Sequence, residues 1–244
     1  MTHPLSSLAP DIEHRLAGWM KIQERLPDPA AVKLCPAVTL SRQFGCEGFP
    51  LAERLKALLE EASGECWNIF DKSLIELVAK EETIPLRLLK NLGDRSKAIE
   101  AFGLHSSERI THDMAFDKVA RYLVQIAKVG NAILVGRGGA VLCHELANSF
   151  HFRLVAGFEW RVAAYMRRTG LSAAEATAQV KENSKVREKF VSHCLGEDIT
   201  DPRLFDAIFN NERHSVEEMA QAALSFIKAG WKDRGYFEKG RNSR

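Results

Sequence analysis

The turn around residue 45 carries residues that suit an anion-binding loop. The stretch SRQFGCEGFP (41–50) follows a short apolar run and opens into a helical pattern. Gly45 and Gly48 permit a tight turn whose backbone N–H groups, together with the positive end of the helix dipole, attract phosphate. The match to the common G-x-x-x-x-G-K-[ST] pattern is poor, because Phe49 and Pro50 replace the lysine and the hydroxyl residue. A plain strand-to-helix turn therefore stays an alternative.

Two arginines beside predicted strand ends can supply the positive charge that the missing lysine would give. Arg42 lies inside the turn, where its guanidinium can stand beside a phosphate. Arg137 follows the most apolar predicted strand and lies between Gly136 and Gly138. Because arginine is almost never buried without a partner, Arg137 predicts a bidentate contact with phosphate. An ion pair with a neighbouring carboxylate is the alternative.

The segment KENSKVREK (181–189) adds a basic helix. Lys181, Lys185 and Lys189 fall on one face at i, i+4 spacing, and Arg187 lies in the same segment. A basic helix near a phosphate site fits a lid that closes over phosphoryl groups. A solvent-exposed helix face explains the same run of charges.

Charged residues also follow two other predicted strands. Asp71 ends the segment CWNIFD (66–71), where it can orient a substrate hydroxyl, a base or a metal, although it also suits the N-cap of the next helix. Arg161 is on the first turn of the helix after the fourth strand and can reach a nucleotide. Arg167 and Arg168, later on that helix, are expected to stay in solvent.

Five apolar segments alternate with helical patterns, which is typical of a parallel sheet covered on both faces. The predicted strands cover residues 37–41, 66–71, 131–136, 150–157 and 204–210. The predicted helices cover about 11–26, 49–62, 72–81, 113–130, 158–169, 172–190 and 215–229, with another opened near Thr83 and a short one in GAVLCHELA (139–147). Ligands of such sheets bind beyond the carboxyl ends of the strands, so the charged residues above are expected to converge there.

The composition is that of an ordinary globular protein, with 45% hydrophobic residues, 27% charged residues and a net charge of +2. This charge is too small to indicate general binding to nucleic acid or to membranes. No stretch approaches the roughly 20 apolar residues that span a bilayer, and the N-terminus lacks the features of a secretory signal. Five scattered cysteines without a CxxC pair argue against zinc and fit reduced thiols, so we expect a cytoplasmic protein.

Several segments, taken in order, resemble the cytidylate kinase-like family, a branch of the P-loop nucleoside-monophosphate kinases. They are TLSRQFGCEGFPLAERL, IFDKSLIELVAKE, ILVGRGGAVL, FRLVAGFEWRVAAYMRRTGLSAAEA, KVREKF and DPRLFDAIFNNERHSVEEM. The resemblance covers about residues 37–228 and is most specific in SRQFG and VGRG. It implies a three-layer α/β/α, P-loop kinase-like fold with a five-stranded parallel sheet, a mobile lid and a nucleoside-monophosphate region. It also implies transfer of the terminal phosphoryl group of ATP, with Mg²⁺, to CMP or dCMP.

The resemblance assigns roles to residues of this chain by position. Those expected to bind ATP are Ser41, Arg42, Gly45, Cys46, Glu47 and Gly48. Those expected to bind the acceptor are Asp71, Arg137, Gly138 and Arg161. Those expected to act in catalysis are Arg42, Arg137, Lys185 and Arg187, the last two within the lid. The metal has no assigned ligand, with Ser41, Asp71 or water as candidates.

Three loop residues depart from the patterns of active kinases. Pro50 lacks the hydroxyl that would contact magnesium, and Phe49 lacks the positive charge of a lysine. Glu47 places a carboxylate beside a triphosphate, and a like-charge contact at ~4 Å costs about 4 kcal/mol at an effective dielectric of roughly 20. Val135 and Gly138 replace acidic residues that true cytidylate kinases tend to carry. Two hypotheses stay open: an ATP-dependent phosphotransferase, and a catalytically degenerate sensor of a nucleotide or another phosphorylated ligand.

The chain is predicted to have three parts. Residues 1–36 form a helical extension and linker, residues 37–230 form the kinase-like domain with a lid at about 171–200, and residues 231–244 form a polar tail. The apolar stripe of the extension can pack on the domain or on a second subunit, so a homodimer is an open alternative. Nucleotides are the expected small-molecule partners.

Overall fold

The computed structural model describes residues 35–71, 110–136, 138–231 and 236–237. Its strands are β1 (Ala37–Arg42), β2 (Asn68–Phe70), β3 (Ala132–Val135), β4 (Ser149–Val155) and β5 (Ala207–Asn210). Its helices are α1 (Gly48–Ser63), α2 (Ile110–Val129), α3 (Gly139–Leu142), α4 (Phe158–Thr169), α5 (Ala173–Leu195) and α6 (Val216–Gly230). A 3₁₀ turn spans Pro202–Leu204.

The five strands form one parallel sheet in the order β2-β3-β1-β4-β5. β1 comes first in the chain but lies in the centre, with β3 on one side and β4 on the other. Val38 and Leu40 of β1 and Ile133 of β3 are fully buried, as expected for strands that are covered on both faces. The strand order reverses at β1, and this reversal opens a crevice at the carboxyl end of β1 where sheets of this kind bind ligands.

Two apolar cores attach helices to opposite faces of the sheet. On one face α1 and α6 pack through residues such as Leu55 and Ile227 against Phe152 of β4. On the other face α2 packs through Leu123 against Leu134 of β3. The structure therefore confirms the predicted α/β fold, with helices on both sides of a five-stranded parallel sheet.

Capping residues fix where two of the long helices begin. The predicted capping box of Ser215 and Glu218 is present at the start of α6, with both reciprocal bonds formed. The same device, made by Ser172 and Glu175, opens α5. α5 then continues to Leu195, beyond the predicted end near residue 190.

Some predicted boundaries differ from the structure, and some predicted elements lie outside the described residues. β5 begins at Ala207 instead of residue 204, because Asp201 caps a 3₁₀ turn through Pro202–Leu204 before the strand starts. The predicted helices over 11–26, over 72–81 and from Thr83 lie outside the residues that the structure describes. Within the described part of the chain, no helix combines the length and the apolarity that crossing a membrane requires.

A buried polar pair lies between β1 and β4, on the face of the sheet that carries α2. Thr39 and His151 are register partners and share a hydrogen bond of 2.8 Å between Thr39 Oγ1 and His151 Nδ1. The other ring nitrogen of His151, Nε2, is buried and has no hydrogen-bond partner among the described residues. Burial lowers the pKa of His151 to about 4; nearby Asp206 opposes this shift and His144 adds to it. The ring is therefore neutral at neutral pH.

The depressed pKa of His151 predicts that the fold loses stability in mild acid. The unfolded chain takes up a proton near pH 6.5, whereas the folded chain resists it down to about pH 4. Stability from this residue is thus full above pH 6.5 and falls as the pH drops towards 4, by up to about 3 kcal/mol. Urea unfolding at a series of pH values measures the effect. His151→Gln should reduce this pH dependence, whereas His214→Gln, at an exposed histidine, should keep it; equal pH dependence in all three proteins would refute the assignment.

Candidate functional site

The predicted anion-binding loop connects the central strand to the first helix. β1 ends at Arg42, and α1 begins at Gly48, so the loop lies at the reversal point of the sheet. Two hydrogen bonds tie the loop to β4: the Gln43 N–H donates to the Leu154 carbonyl at 3.0 Å, and the Ala156 N–H donates to Gln43 Oε1 at 2.9 Å. The loop therefore begins from a fixed point on the sheet.

Two glycines allow arginines to lie against the backbone of the site. Gly45 has a φ of 100°, and a Cβ added there would come within 2.6 Å of the Cβ of Arg161. Gly136, after β3, has a φ of 81°, and a Cβ added there would overlap the guanidinium of Arg42. Side chains are disfavoured at such φ values, so glycine suits both positions. The Arg42 side chain consequently crosses from the end of β1 to the end of β3.

Arg161 holds the loop by its backbone. This residue is 8% exposed, and its Nη1 donates to the carbonyl of Phe44 at 3.0 Å and to Ser184 Oγ at 3.2 Å. Its Nε donates to the Ala156 carbonyl at 3.2 Å. Because Phe44 belongs to the loop and Ser184 belongs to α5, Arg161 connects the loop to that helix. Its predicted contact with a substrate stays a prediction.

Arg168 also holds the loop, and the expectation that it stays in solvent is wrong. Its guanidinium donates to the carbonyl of Cys46 at 3.2 Å and to the carbonyl of Gly45. Burial lowers the pKa of Arg168, and the carboxylate of Glu47 opposes that shift. Arg167, its neighbour on α4, is exposed as expected. Adjacent helical residues point about 100° apart, which is why one reaches the loop and the other does not.

Arg187 joins helix α5 to the same loop. Its Nη1 donates to the carbonyl of Arg42 at 3.2 Å, and its guanidinium carbon lies 4.8 Å from the centre of the Phe44 ring. The Phe44 ring also packs on Tyr165 of α4, with 5.0 Å between ring centroids. Arg187 therefore contacts the loop, and its predicted role in a lid stays a prediction.

The thiol of Cys46 lies at the centre of this group of arginines. Burial raises its pKa to about 11, and the charges of Arg161 and Arg168 oppose the increase, followed by those of Arg187 and Arg153. The thiol is 7% exposed and protonated at neutral pH. Its predicted contact with a nucleotide stays a prediction.

Glu47 is turned towards Asn211, at the end of β5. Asn211 Nδ2 donates to the Glu47 carboxylate at 3.1 Å, and the Glu47 N–H donates to Asn211 Oδ1 at 2.7 Å. The carboxylate also lies close enough to Arg168 to offset part of its charge. A carboxylate held in this way repels an anion in the loop less than a free one would.

The two other unusual loop residues have structural roles. Phe49 is partly buried and packs against the core under α1. Pro50 is the third residue of α1, in the first turn, where proline is tolerated because the N–H that it lacks would have no partner inside the helix. Neither residue adds positive charge to the loop.

A cavity of about 340 Å³ opens above the carboxyl ends of β1 and β3 and beneath α5. Arg42 and Arg187 line it on the polar side, together with Ser41. Phe190 and Phe205 contribute aromatic surface. This combination of apolar walls with a few convergent polar groups is typical of a small-molecule site.

The structure brings some of the predicted site residues together and leaves others apart. Ser41, Arg42, Arg187 and Gly138 all line the cavity. Lys185 is exposed and does not line it, although it lies on the same helix as Arg187. Arg137 lies outside the described residues, so its predicted role stays a prediction, as does that of Asp71 at the end of β2.

Sequence reasoning missed three residues around the site: Arg153, Arg168 and Asn211. Arg153 had a detectable signal, because it interrupts the apolar strand FHFRLV and a charged residue is rarely buried without a partner. The contacts of Arg168 and Asn211 join distant parts of the chain, and no local pattern marks them.

Comparison with known proteins supports the fold and the family. The sequence profile of the cytidylate kinase-like family matches residues 37–213. The crystal structure of an uncharacterized protein from Eubacterium ventriosum ATCC 27560 is similar, with a TM-score of 0.62, 15% identity, and coverage of 80% of this chain and 98% of that chain. TT1252 from Thermus thermophilus also matches, with a TM-score of 0.41, 18% identity, and coverage of 81% and 98%. No curated protein matches the chain.

The pairing of Glu47 with Asn211 predicts a specific charge effect on anion binding. Asn211→Ala should release the carboxylate and lower the affinity for inorganic pyrophosphate by about tenfold, since a free like charge near an anion costs on the order of 1 kcal/mol or more. Isothermal titration calorimetry measures the affinity. The double variant Glu47→Gln/Asn211→Ala should regain it. Unchanged affinity in Asn211→Ala would show that the pair does not control the charge of the loop.

The contact of Arg168 with the loop predicts a local change in mobility. Arg168→Met removes the donors to the carbonyls of Gly45 and Cys46, so amide hydrogen exchange in residues 43–48 should accelerate by about tenfold or more. Arg167→Met, at the adjacent exposed position, is the matched control and should exchange like the wild type. Equal exchange in the two variants would contradict the assigned role of Arg168.

Proposed function

The chain belongs to the cytidylate kinase-like family, and we propose that it is a nucleotide kinase that transfers the terminal phosphoryl group of ATP to a nucleoside monophosphate. The observation that carries this proposal is the convergence of Arg42 and Arg187 on one cavity at the reversal point of the sheet. CMP or dCMP is the acceptor that the family resemblance favours.

Phosphoryl transfer requires little covalent chemistry from the protein and depends on positioning and on neutralising charge. Arg42 crosses the mouth of the crevice, with its guanidinium against Gly136. Arg187 approaches from the lid, where it donates to the carbonyl of Arg42. Two fixed guanidinium groups from opposite walls can bind oxygens on the same phosphate chain, as bidentate donors do. In this proposal they replace the lysine that the loop lacks.

The lid helix supplies the second requirement, which is exclusion of water. Val186, Phe190 and Val191 of α5 line the cavity with apolar side chains. A closed apolar cover lowers the local dielectric and strengthens the interaction between the arginines and the phosphates. Lys185, on the exposed side of the same helix, is proposed to act only in a conformation in which the lid has rotated.

The residues present fit the phosphates of ATP better than they fit a metal held by the protein alone. Among the described residues, no group of three or more His, Cys, Asp or Glu side chains is placed to hold a metal ion. Mg²⁺ usually takes one or two protein ligands and is otherwise held by phosphate oxygens and water. When bound with ATP it would neutralise phosphate charge. Ser41 and Asp71 remain the proposed protein contacts.

A second candidate function is that of a nucleotide sensor without catalysis. Phe49 packs into the core and Pro50 occupies the first turn of α1, so the loop offers neither a lysine nor a hydroxyl at these positions. A site of this kind can bind a nucleotide and transmit the binding through α5 without transferring the phosphoryl group.

Turnover assays separate the two functions. The purified protein is incubated with ATP, Mg²⁺ and a panel of nucleoside monophosphates, and ADP formation is followed. A kinase should form ADP with at least one acceptor, and Arg42→Met, Arg187→Met and Arg137→Ala should each lower kcat/KM by about 100-fold or more, because each removes charge stabilisation from the transition state. Arg121→Met, at an exposed arginine on α2, is the matched control and should keep full activity.

Two other results have distinct meanings. Tight nucleotide binding without turnover on any acceptor would reject the kinase and favour the sensor. Absence of binding to any nucleotide would reject both functions.

A further inference from the structure

Arg153 is a buried arginine on β4 with no role in the site as described so far. It is 5% exposed and lies on the same face of the sheet as Thr39 and His151. Its register partner on β1 is Ser41, and its Nη1 donates to Ser41 Oγ at 3.0 Å. Its guanidinium carbon lies 5.3 Å from the centre of the Phe205 ring.

The described residues give this guanidinium few hydrogen-bond partners. Arginine has five N–H donors, and among the described residues the Ser41 hydroxyl is the one hydrogen-bond acceptor for Arg153. Asp198 and Glu188 act on it only through space, and the Asp198 carboxylate is bonded to Thr200. Burial lowers the pKa of Arg153. A charge buried with so few partners destabilises a fold, so its presence is best explained by a ligand that pairs with it.

The position of Arg153 indicates where that ligand would lie. The two side chains that it contacts, Ser41 and Phe205, both line the 340 Å³ cavity. Arg42 and Arg187 line the same cavity from other sides. The Arg153 guanidinium therefore lies directly behind two residues of the cavity wall.

We propose that Arg153 is a third phosphate-binding residue, which donates to an oxygen of the acceptor phosphate and is held in place by Ser41. The proposal rests on the function proposed above and names the group that would bind the acceptor at the floor of the cavity. A planar guanidinium with free donors matches the geometry of a phosphate, whereas a lysine at the same point would not reproduce it. The Phe205 ring lies beside the guanidinium and holds it by a cation–π contact.

Replacement of Arg153 by methionine tests the proposal with two readouts. Arg153→Met should weaken the binding of CMP and of inorganic phosphate by about tenfold or more in calorimetry, because it removes a charged donor. Without ligand, its melting temperature should stay equal or rise, because an unpaired buried charge has been removed. Stabilisation of the protein by phosphate should decrease in parallel. Arg167→Met is the matched control and should behave like the wild type.

A structural role for Arg153 gives the opposite pattern. The melting temperature of Arg153→Met would then fall while its affinity for CMP and phosphate stayed unchanged, and this result would overturn the proposal. Should Arg153→Met fail to fold, Arg153→Lys decides, since it keeps the charge and loses the planar donor pair. It should bind CMP about tenfold more weakly than the wild type; equal affinity would overturn the proposal.

The same titrations separate this inference from the proposed function. If the wild-type protein binds CMP and Arg153→Met binds it equally well, the role of Arg153 is wrong and the kinase proposal is unaffected. If the wild-type protein binds neither CMP nor phosphate, both proposals are wrong. If it binds both and turns over ATP, and the Arg153 variants bind CMP more weakly whereas Arg167→Met does not, both are supported.

Discussion

Positive charge gathers at the carboxyl end of β1, and the surrounding structure has to accommodate it. The charges of Arg153, Arg161 and Arg168 all act on the thiol of Cys46, so three cationic side chains approach one buried residue. Like charges at short range repel, and burial adds the loss of hydration. Among the described residues these three arginines form no ion pair, and their acceptors are main-chain carbonyls and hydroxyls. Dipoles of this kind offset a cation only in part. An anion in the crevice would complete the balance.

This charge balance explains how the loop keeps its shape without a lysine. Its carbonyls face outwards to arginines from α4 and α5, and its acidic residue, Glu47, is bonded to Asn211 after β5. Three separate elements thus hold a short segment whose own sequence offers little support. A loop held from outside tolerates changes at Phe49 and Pro50 that a self-supporting loop would not. The presence of Phe49 and Pro50 therefore argues less strongly against phosphate binding than the sequence alone suggests.

The fold could be predicted from the sequence because its signals are local. Apolar runs separated by helical patterns indicate a parallel sheet, and Ser215 with Glu218 marks the start of α6. The parts of the site that escaped prediction depend on contacts between distant segments. Asn211 is 164 positions from Glu47, and Arg168 is 122 positions from Cys46. Arg153 could be predicted in part. The alternation of side chains along β4 places Arg153 and Phe152 on opposite faces of the sheet, but the pairing of Arg153 with Ser41 follows only from the strand order.

Phe44 belongs to the loop and contacts two helices at once. Its ring packs on Tyr165 of α4 and under the guanidinium of Arg187 of α5. The helix that it supports has 23 residues, which corresponds to about 35 Å. A rotation of α5 about this contact would move the ends of the helix several times further than the contact itself. The contacts of this one ring thus couple the position of the loop to that of both helices.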